Sequence, residues 1–185
     1  MVAYQTAYMK ANYPVEFMNA LLTAESGDSE KISLAVNECR RMKIKVLPPD
    51  INDSNVGFKI IKDKDSLEGK AIRFGLSAIK NVGRAAIEAI LSAREEEPFI
   101  SLSDFLARVN ARKVNKKVVE SLIKVGALSM FGERAKVLYY SEEIRGKVSK
   151  LQVLKGQQGL FSQTKKSSKK NITKELFLKT DITEF

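Results

Sequence analysis

Apolar residues recur at helical spacing through most of this chain, and a few glycines and prolines mark where elements stop. Tyr4, Ala7, Tyr8 and Ala11 share one face, Pro14 suits a helix first turn, and Phe17, Leu21 and Leu22 continue beyond it. Gly27 breaks the pattern, and Asp28 or Ser29 caps a second helix bearing Ile32, Ala35, Val36, Cys39 and Met42. Ile44-Lys45-Val46-Leu47 follows and is halted by Pro48-Pro49. Residues 57–62 and 70–74 then alternate as a small β-hairpin around a polar loop. From residue 72 the period returns to 3.6, so the fold class is mainly α with one small β-hairpin.

Residues 72–109 read IRFGLSAIKNVGRAAIEAILSAREEEPFISLSDFLARV and carry the most information. Leu76 and Ile79 lie three apart. Lys80-Asn81 and Val82-Gly83 then form a turn, and Ala86, Ile87, Ile90 and Leu91 resume helical spacing. Gly83 is expected to let the backbone turn sharply and to leave the next helix N-terminus uncovered. Free N–H groups and the positive dipole end then favour a phosphate. These are the mechanics of a helix-hairpin-helix, which holds DNA backbone without reading bases. The second glycine usual in such a turn is Asn81 here, a residue that visits the left-handed region more readily than most.

The pattern continues with Ser101-Leu102-Ser103-Asp104, where Ser101 caps and Asp104 returns the bond, ahead of Phe105, Leu106 and Val109. Asn115 caps a helix with Val118, Val119, Leu122 and Ile123. Gly126 ends it, and Gly132 opens another with Ala135, Leu138 and Tyr139. This reads as a second, degenerate copy of the same module, since one small helix pair cannot bury its apolar face alone. In the tail, Gln157-Gln158-Gly159-Leu160-Phe161 places two apolar anchors beside the low-complexity stretch SQTKKSSKK. Such segments order on binding by inserting anchors into a partner's groove.

Charge changes the picture next. Lysine and arginine number 32 against 22 acids, a net charge of +10, which favours polyanionic partners and nucleic acid before membrane. The excess is uneven: residues 75–145 hold 12 cations and 9 acids, and residues 146–185 hold 9 and 3. Between Asp104 and Glu120 stand Arg108, Arg112, Lys113, Lys116 and Lys117 with no acid among them. The expected DNA contacts are therefore Lys80, Asn81, Val82, Gly83, Arg84, Arg112, Lys113, Lys116 and Lys117. Backbone N–H groups of Val82, Gly83 and Arg84 would hold one phosphate.

Chemistry is narrowed by what is missing. The chain has no histidine and one cysteine, which removes Ser-His and Cys-His nucleophiles and any internal disulfide. Cys39 belongs to an apolar stripe and reads as core. Asp63-Lys64-Asp65 has the spacing of a two-metal site, yet it sits among lysines in a polar loop and reads as a turn. No apolar run approaches a membrane span and the N-terminus lacks a signal-peptide pattern, so a cytoplasmic, nucleoid-associated setting without membrane contact is expected.

The stretches YQTAYMKANYPVEFMNALLTAE, ECRRMKIKVLPPDIN, IRFGLSAIKNVGRAAIEAILSAREE and RKVNKKVVESLIKVGAL closely resemble the bacterial DNA polymerase III alpha subunits, in collinear order over about residues 3 to 161. The resemblance implies that residues 1–45 are like the end of the fingers region and residues 46–74 a connector with the hairpin. Residues 75–145 would be the tandem helix-hairpin-helix that lies on primer-template duplex, and residues 146–185 a basic flexible tail. Gln157, Leu160 and Phe161 would then bind the sliding clamp. The family's catalytic aspartates belong to a palm region that nothing here matches, and its OB domain is likewise without a match. The chain is thus expected to be an internal fragment or truncated frame that polymerises nothing alone. It would carry no cofactor, magnesium being expected for the full polymerase, and its partners would be duplex DNA, the clamp and the remaining polymerase domains. Two other readings stand beside this one: a helix-hairpin-helix module of a repair nuclease or helicase, and a helical scaffold with no nucleic-acid role.

Overall fold

A computed structural model describes residues 2–66 and 69–158, the last eleven of these as helical backbone only. Several of its helices begin where local chemistry can satisfy their ends. α1 (Val2–Asn12) passes into α2 (Pro14–Ala24) through a bend at Tyr13, where proline takes the first helical position and has no N–H to leave unpaired. Asp28 caps α3 (Ser29–Arg41), its Oδ1 accepting from the N–H groups of Glu30 and Lys31 at 3.0 and 3.2 Å. Val15, Met18 and Leu22 of α2 close on Ile32, Ala35 and Cys39 of α3, and this first core is completed by Ile44, Phe58 and Ile72. α1 buries no residue; Tyr4 and Tyr8 stack on one another at its exposed surface. Burial pushes the Cys39 thiol up to about 11, as suits a core residue.

The expected hairpin is a three-stranded sheet. β2 (Lys59–Lys62) and β3 (Lys70–Arg73) pair antiparallel, and β1 (Val46–Leu47) adds to the other edge of β3 in parallel, giving the order β1-β3-β2. β1 is only two residues long because Pro48-Pro49 removes the next N–H donors. After β3, Gly75 lies so close to Gly57 that a Cβ there would stand 2.5 Å from the Gly57 carbonyl carbon.

The second core is helical. It joins a 3-10 turn (Leu76–Ala78), α4 (Arg84–Arg94), α5 (Leu102–Arg108), α6 (Lys116–Val125), a second 3-10 turn (Ser129–Phe131) and α7 (Arg134–Gln158). The anticipated caps are present: Ser101 Oγ accepts from Asp104 N, and Asn115 Oδ1 from Val118 N. Gly126 ends α6 in the left-handed region at φ 86°. Asp104 answers Ile100 N rather than its own cap, and it also receives Arg108. On α7 the buried stripe is Val137, Ser141 and Ile144, whereas Ala135 and Tyr139 are exposed and Leu138 is half-buried. Ser141 fits inside because its hydroxyl donates to Leu138 O at 2.8 Å.

The expected limits at 74/75 and 145/146 are both crossed. Ile51 of the connector is buried in the helical core, its N–H donating to Ala127 O at 2.9 Å. Asn52 pairs with both backbone groups of Phe99. Arg94 donates to the carbonyls of Ile51 and Ser54 at 2.7 and 2.6 Å. Phe74 packs against both cores, and α7 runs unbroken through residue 145.

The Gly57–Gly75 contact sets a stability test. Adding a methyl group at Gly75→Ala forces backbone apart at the sheet's exit and should cost about 1–3 kcal/mol or more. Urea unfolding of the variant measures it, and an unchanged midpoint would contradict the close packing.

Candidate nucleic-acid interface

The first hairpin is built by a handful of backbone constraints. Leu76 and Ile79 are buried, and the chain between them makes a single 3-10 turn in place of a full first helix. Asn81 then adopts φ 67°, the left-handed conformation anticipated for it. Val82 turns inward and is 6% exposed, anchoring the loop to the core. Gly83 is the N-cap of α4 at φ −77° and ψ 162°, extended backbone open to any residue. The turn therefore comes from Asn81, and Gly83 matters for the side chain it lacks. A Cβ there would meet nothing within 4 Å, and no side chain caps the helix. Ala86 and Ile87 donate back to Gly83 O, so the N–H groups of Gly83, Arg84 and Ala85 face outward at the positive end of an eleven-residue helix. Val82 N–H is instead taken up inside the turn by Ile79 O at 3.2 Å, which shifts the expected donor set by one residue.

The expected cations divide into three groups. Lys80 and Arg84 flank the uncovered helix end. Lys80 is exposed, and the Arg84 side chain is 90% exposed with a surface pair to Glu88 at 2.9 Å. Arg112 and Lys113 lie exposed in the turn before α6, whose backbone N–H groups are held by Asn110 Oδ1. On α6, Lys117 is exposed, while Lys116 reaches across to Glu142 of α7; that hydrogen bond raises its pKa. Arg108 shares the same acid-free run but turns inward. Its guanidinium donates to Ala93, Glu97 and Pro98 carbonyls and to Asp104, and lies 4.8 Å above the Phe99 ring. It is a structural strut.

One contact joins the first hairpin to α6 across forty residues: Asn81 Nδ2 donates to Ser121 Oγ at 3.3 Å. Lys117 and Lys124 stand four before and three after Ser121, so they occupy the same helix face. Lys124 was not among the expected contacts, although its spacing of seven from Lys117 is a signal that two turns of one helix supply.

The second hairpin departs from the first. Between α6 and α7 stand the left-handed Gly126, a 3-10 turn and Gly132 at φ 131°. Glu133 O receives the first helical bond of α7, from Val137 N, so an exposed carboxylate side chain precedes that helix. An anion meets repulsion there that the α4 end does not present.

Asp63 is a turn residue. It pairs with Lys45 at 2.8 Å and accepts from Ser66 Oγ at 2.6 Å, and the Lys45 contact holds its carboxyl below the usual range. Among the described residues no three acids, cysteines or histidines gather to hold a metal. No helix among the described residues is long and apolar enough to cross a membrane. Of the expected clamp contacts, Gln157 falls in the last turn of the α7 backbone, and Leu160 and Phe161 lie outside the described residues.

Residues 43–137 match the family described as helix-hairpin-helix motif. The chain is 51% identical over 139 residues to the DNA polymerase III subunit alpha of Thermus aquaticus, covering 75% of this chain and 11% of that protein. It is 46% identical over 144 residues to that of Deinococcus radiodurans, covering 77% and 10%. For Campylobacter jejuni the values are 44% over 146 residues, covering 77% and 12%. The chain thus spans about a tenth of the length of the curated relatives it matches.

The left-handed turn yields its own test. Asn81→Gly should leave stability nearly unchanged, whereas Asn81→Val should cost about 1–2 kcal/mol because a β-branched residue resists that backbone. Urea titrations of the two variants check this, and equal midpoints would contradict the assigned conformation.

Proposed function

Because the chain belongs to the helix-hairpin-helix family and corresponds to a segment of the bacterial DNA polymerase III alpha subunits, we propose that it holds duplex DNA by its phosphates in a replicative polymerase. The observation that carries this is the uncovered N-terminus of α4. Three backbone N–H groups face outward beside a glycine whose missing side chain leaves room for a phosphate. Lys80, Arg84 and the turn cations Arg112 and Lys113 add charge, with Lys117 on α6. Such contacts position a duplex without reading its sequence, which suits a polymerase that must move along any template. The segment Gln157-Gln158-Gly159-Leu160-Phe161 is proposed to tether the polymerase to its sliding clamp. α7 supports this reading: its first part packs in the helical core through Val137, Ser141 and Ile144, and the same helix continues without a break to the motif's first residue. The remaining polymerase domains would supply the magnesium-holding carboxylates.

Two predictions follow from the duplex contacts. Binding to unrelated duplexes should be similar in affinity, with a log-log salt slope of roughly −3 to −5 from about four or five neutralised phosphates. Fluorescence anisotropy against salt measures the slope, and salt-independent or absent binding would contradict it. Gly83→Val should still fold, with a loss of about 1 kcal/mol from the poorer cap, because its Cβ enters open space. Its branches fill the phosphate seat, so duplex affinity should fall about tenfold or more, as a lost charge-assisted hydrogen bond implies.

The tail reading is checked by calorimetry of the chain against a bacterial sliding clamp. Replacing Leu160 and Phe161 together by alanine should weaken binding tenfold or more, given about 1.5–3 kcal/mol for each buried side chain. Equal binding by wild type and variant would leave the motif without a role.

A further inference from the structure

We propose that Ser121 positions the phosphate-gripping turn of the first hairpin and itself reaches a DNA phosphate, while Lys124 beside it neutralises a second phosphate. This rests on the duplex-binding reading above and extends its surface from the α4 end onto α6.

The hydroxyl of Ser121 is engaged across the fold and not within its own helix. Serine and threonine within helices commonly turn their hydroxyls back to a carbonyl three or four residues earlier. Thr6, Thr23, Ser33 and Ser141 all do so in this chain. Ser121 does not. Its oxygen accepts the Asn81 amide at 3.3 Å, and its own proton has no acceptor among the described residues. A hydroxyl can accept and donate together, so the same group can brace Asn81 and offer its proton to a phosphate oxygen. The residue it braces is the one non-glycine held left-handed in the hairpin, at φ 67°, and that conformation sets the direction of the α4 N-terminus.

Charge on the surrounding face agrees. Lys117 and Lys124 are exposed, and neither forms an ion pair among the described residues, unlike Lys116, which Glu142 holds. Seven residues of helix separate them by about 10.5 Å along the axis. That spacing lets the two lysines serve separate phosphates. Each therefore neutralises its own, and a strand running from the α4 end would pass Lys80, then Ser121, with Lys117 and Lys124 on either side.

The two roles leave different marks in anisotropy titrations of the full chain with a labelled duplex at several salt concentrations. Lys124→Gln should flatten the log-log salt slope by about 1, because one counterion-releasing contact is gone. Lys59→Gln, at an exposed lysine on the sheet, should leave the slope as in wild type. Ser121→Ala should weaken binding severalfold at fixed salt with an unchanged slope, and Ser121→Thr, which keeps the hydroxyl, should restore it. Urea unfolding of each variant separates misfolding from lost contact, since both positions lie on the polar face of α6. A wild-type slope for Lys124→Gln, or wild-type affinity for Ser121→Ala, overturns the inference while leaving duplex binding intact. A wild-type chain that binds no duplex overturns the duplex-binding reading first, and this inference with it.

Discussion

The proposed grip on duplex DNA depends on one left-handed residue. Asn81 reverses the backbone between a 3-10 turn and α4, and the reversal drives Val82 into the core while Gly83 and the α4 N-terminus face out. An L-residue with a side chain adopts that conformation at some cost, so its surroundings must hold it there. Below, Ile79 and Val82 are buried on either side of the turn; across from it, Ser121 accepts the Asn81 amide. The result is a helix end with its donors fixed in place before any anion arrives, which lowers the ordering cost of binding one.

The hairpin is only as rigid as its support, and that support extends beyond the helix-hairpin-helix elements. Ile51, Asn52 and Ser54 of the connector are tied to Ala127, Phe99 and Arg94 by backbone-directed hydrogen bonds, and Phe74 packs into both cores. The sheet thereby links α2 and α3 to the surface that carries the cations. α2 and α3 thus have a packed connection, through Ile72 and Phe74, to the helical core that carries the first hairpin.

Much of this was legible in the sequence wherever the cause is local. Asp28, Ser101 and Asn115 cap the helices they precede, and Gly126 ends α6 left-handed, because side chain and orphan N–H or carbonyl lie within a few residues. Asn81 could be assigned its turn for the same reason. What the pattern hid is tertiary. β1 pairs in parallel with a strand some twenty-five residues later, and two residues of alternation cannot announce that. Ser141 sits in the buried stripe of α7, so a search for apolar residues alone rotates the helix face. Arg108 looks like its exposed neighbours until three carbonyls and Phe99 converge on it. The Ser121 contact was invisible for the same reason, since forty residues separate it from Asn81.

The N–H groups of Gly83, Arg84 and Ala85 are the proposed seat of a phosphate, and amide chemical shifts report on those groups directly. Titration of isotopically labelled chain with a short duplex at low salt should move these three resonances most within the first hairpin. Val82, whose N–H is already bonded to Ile79 O, should move far less. Shifts that leave residues 83–85 unmoved while duplex binds elsewhere would contradict the claim that the first hairpin holds the DNA.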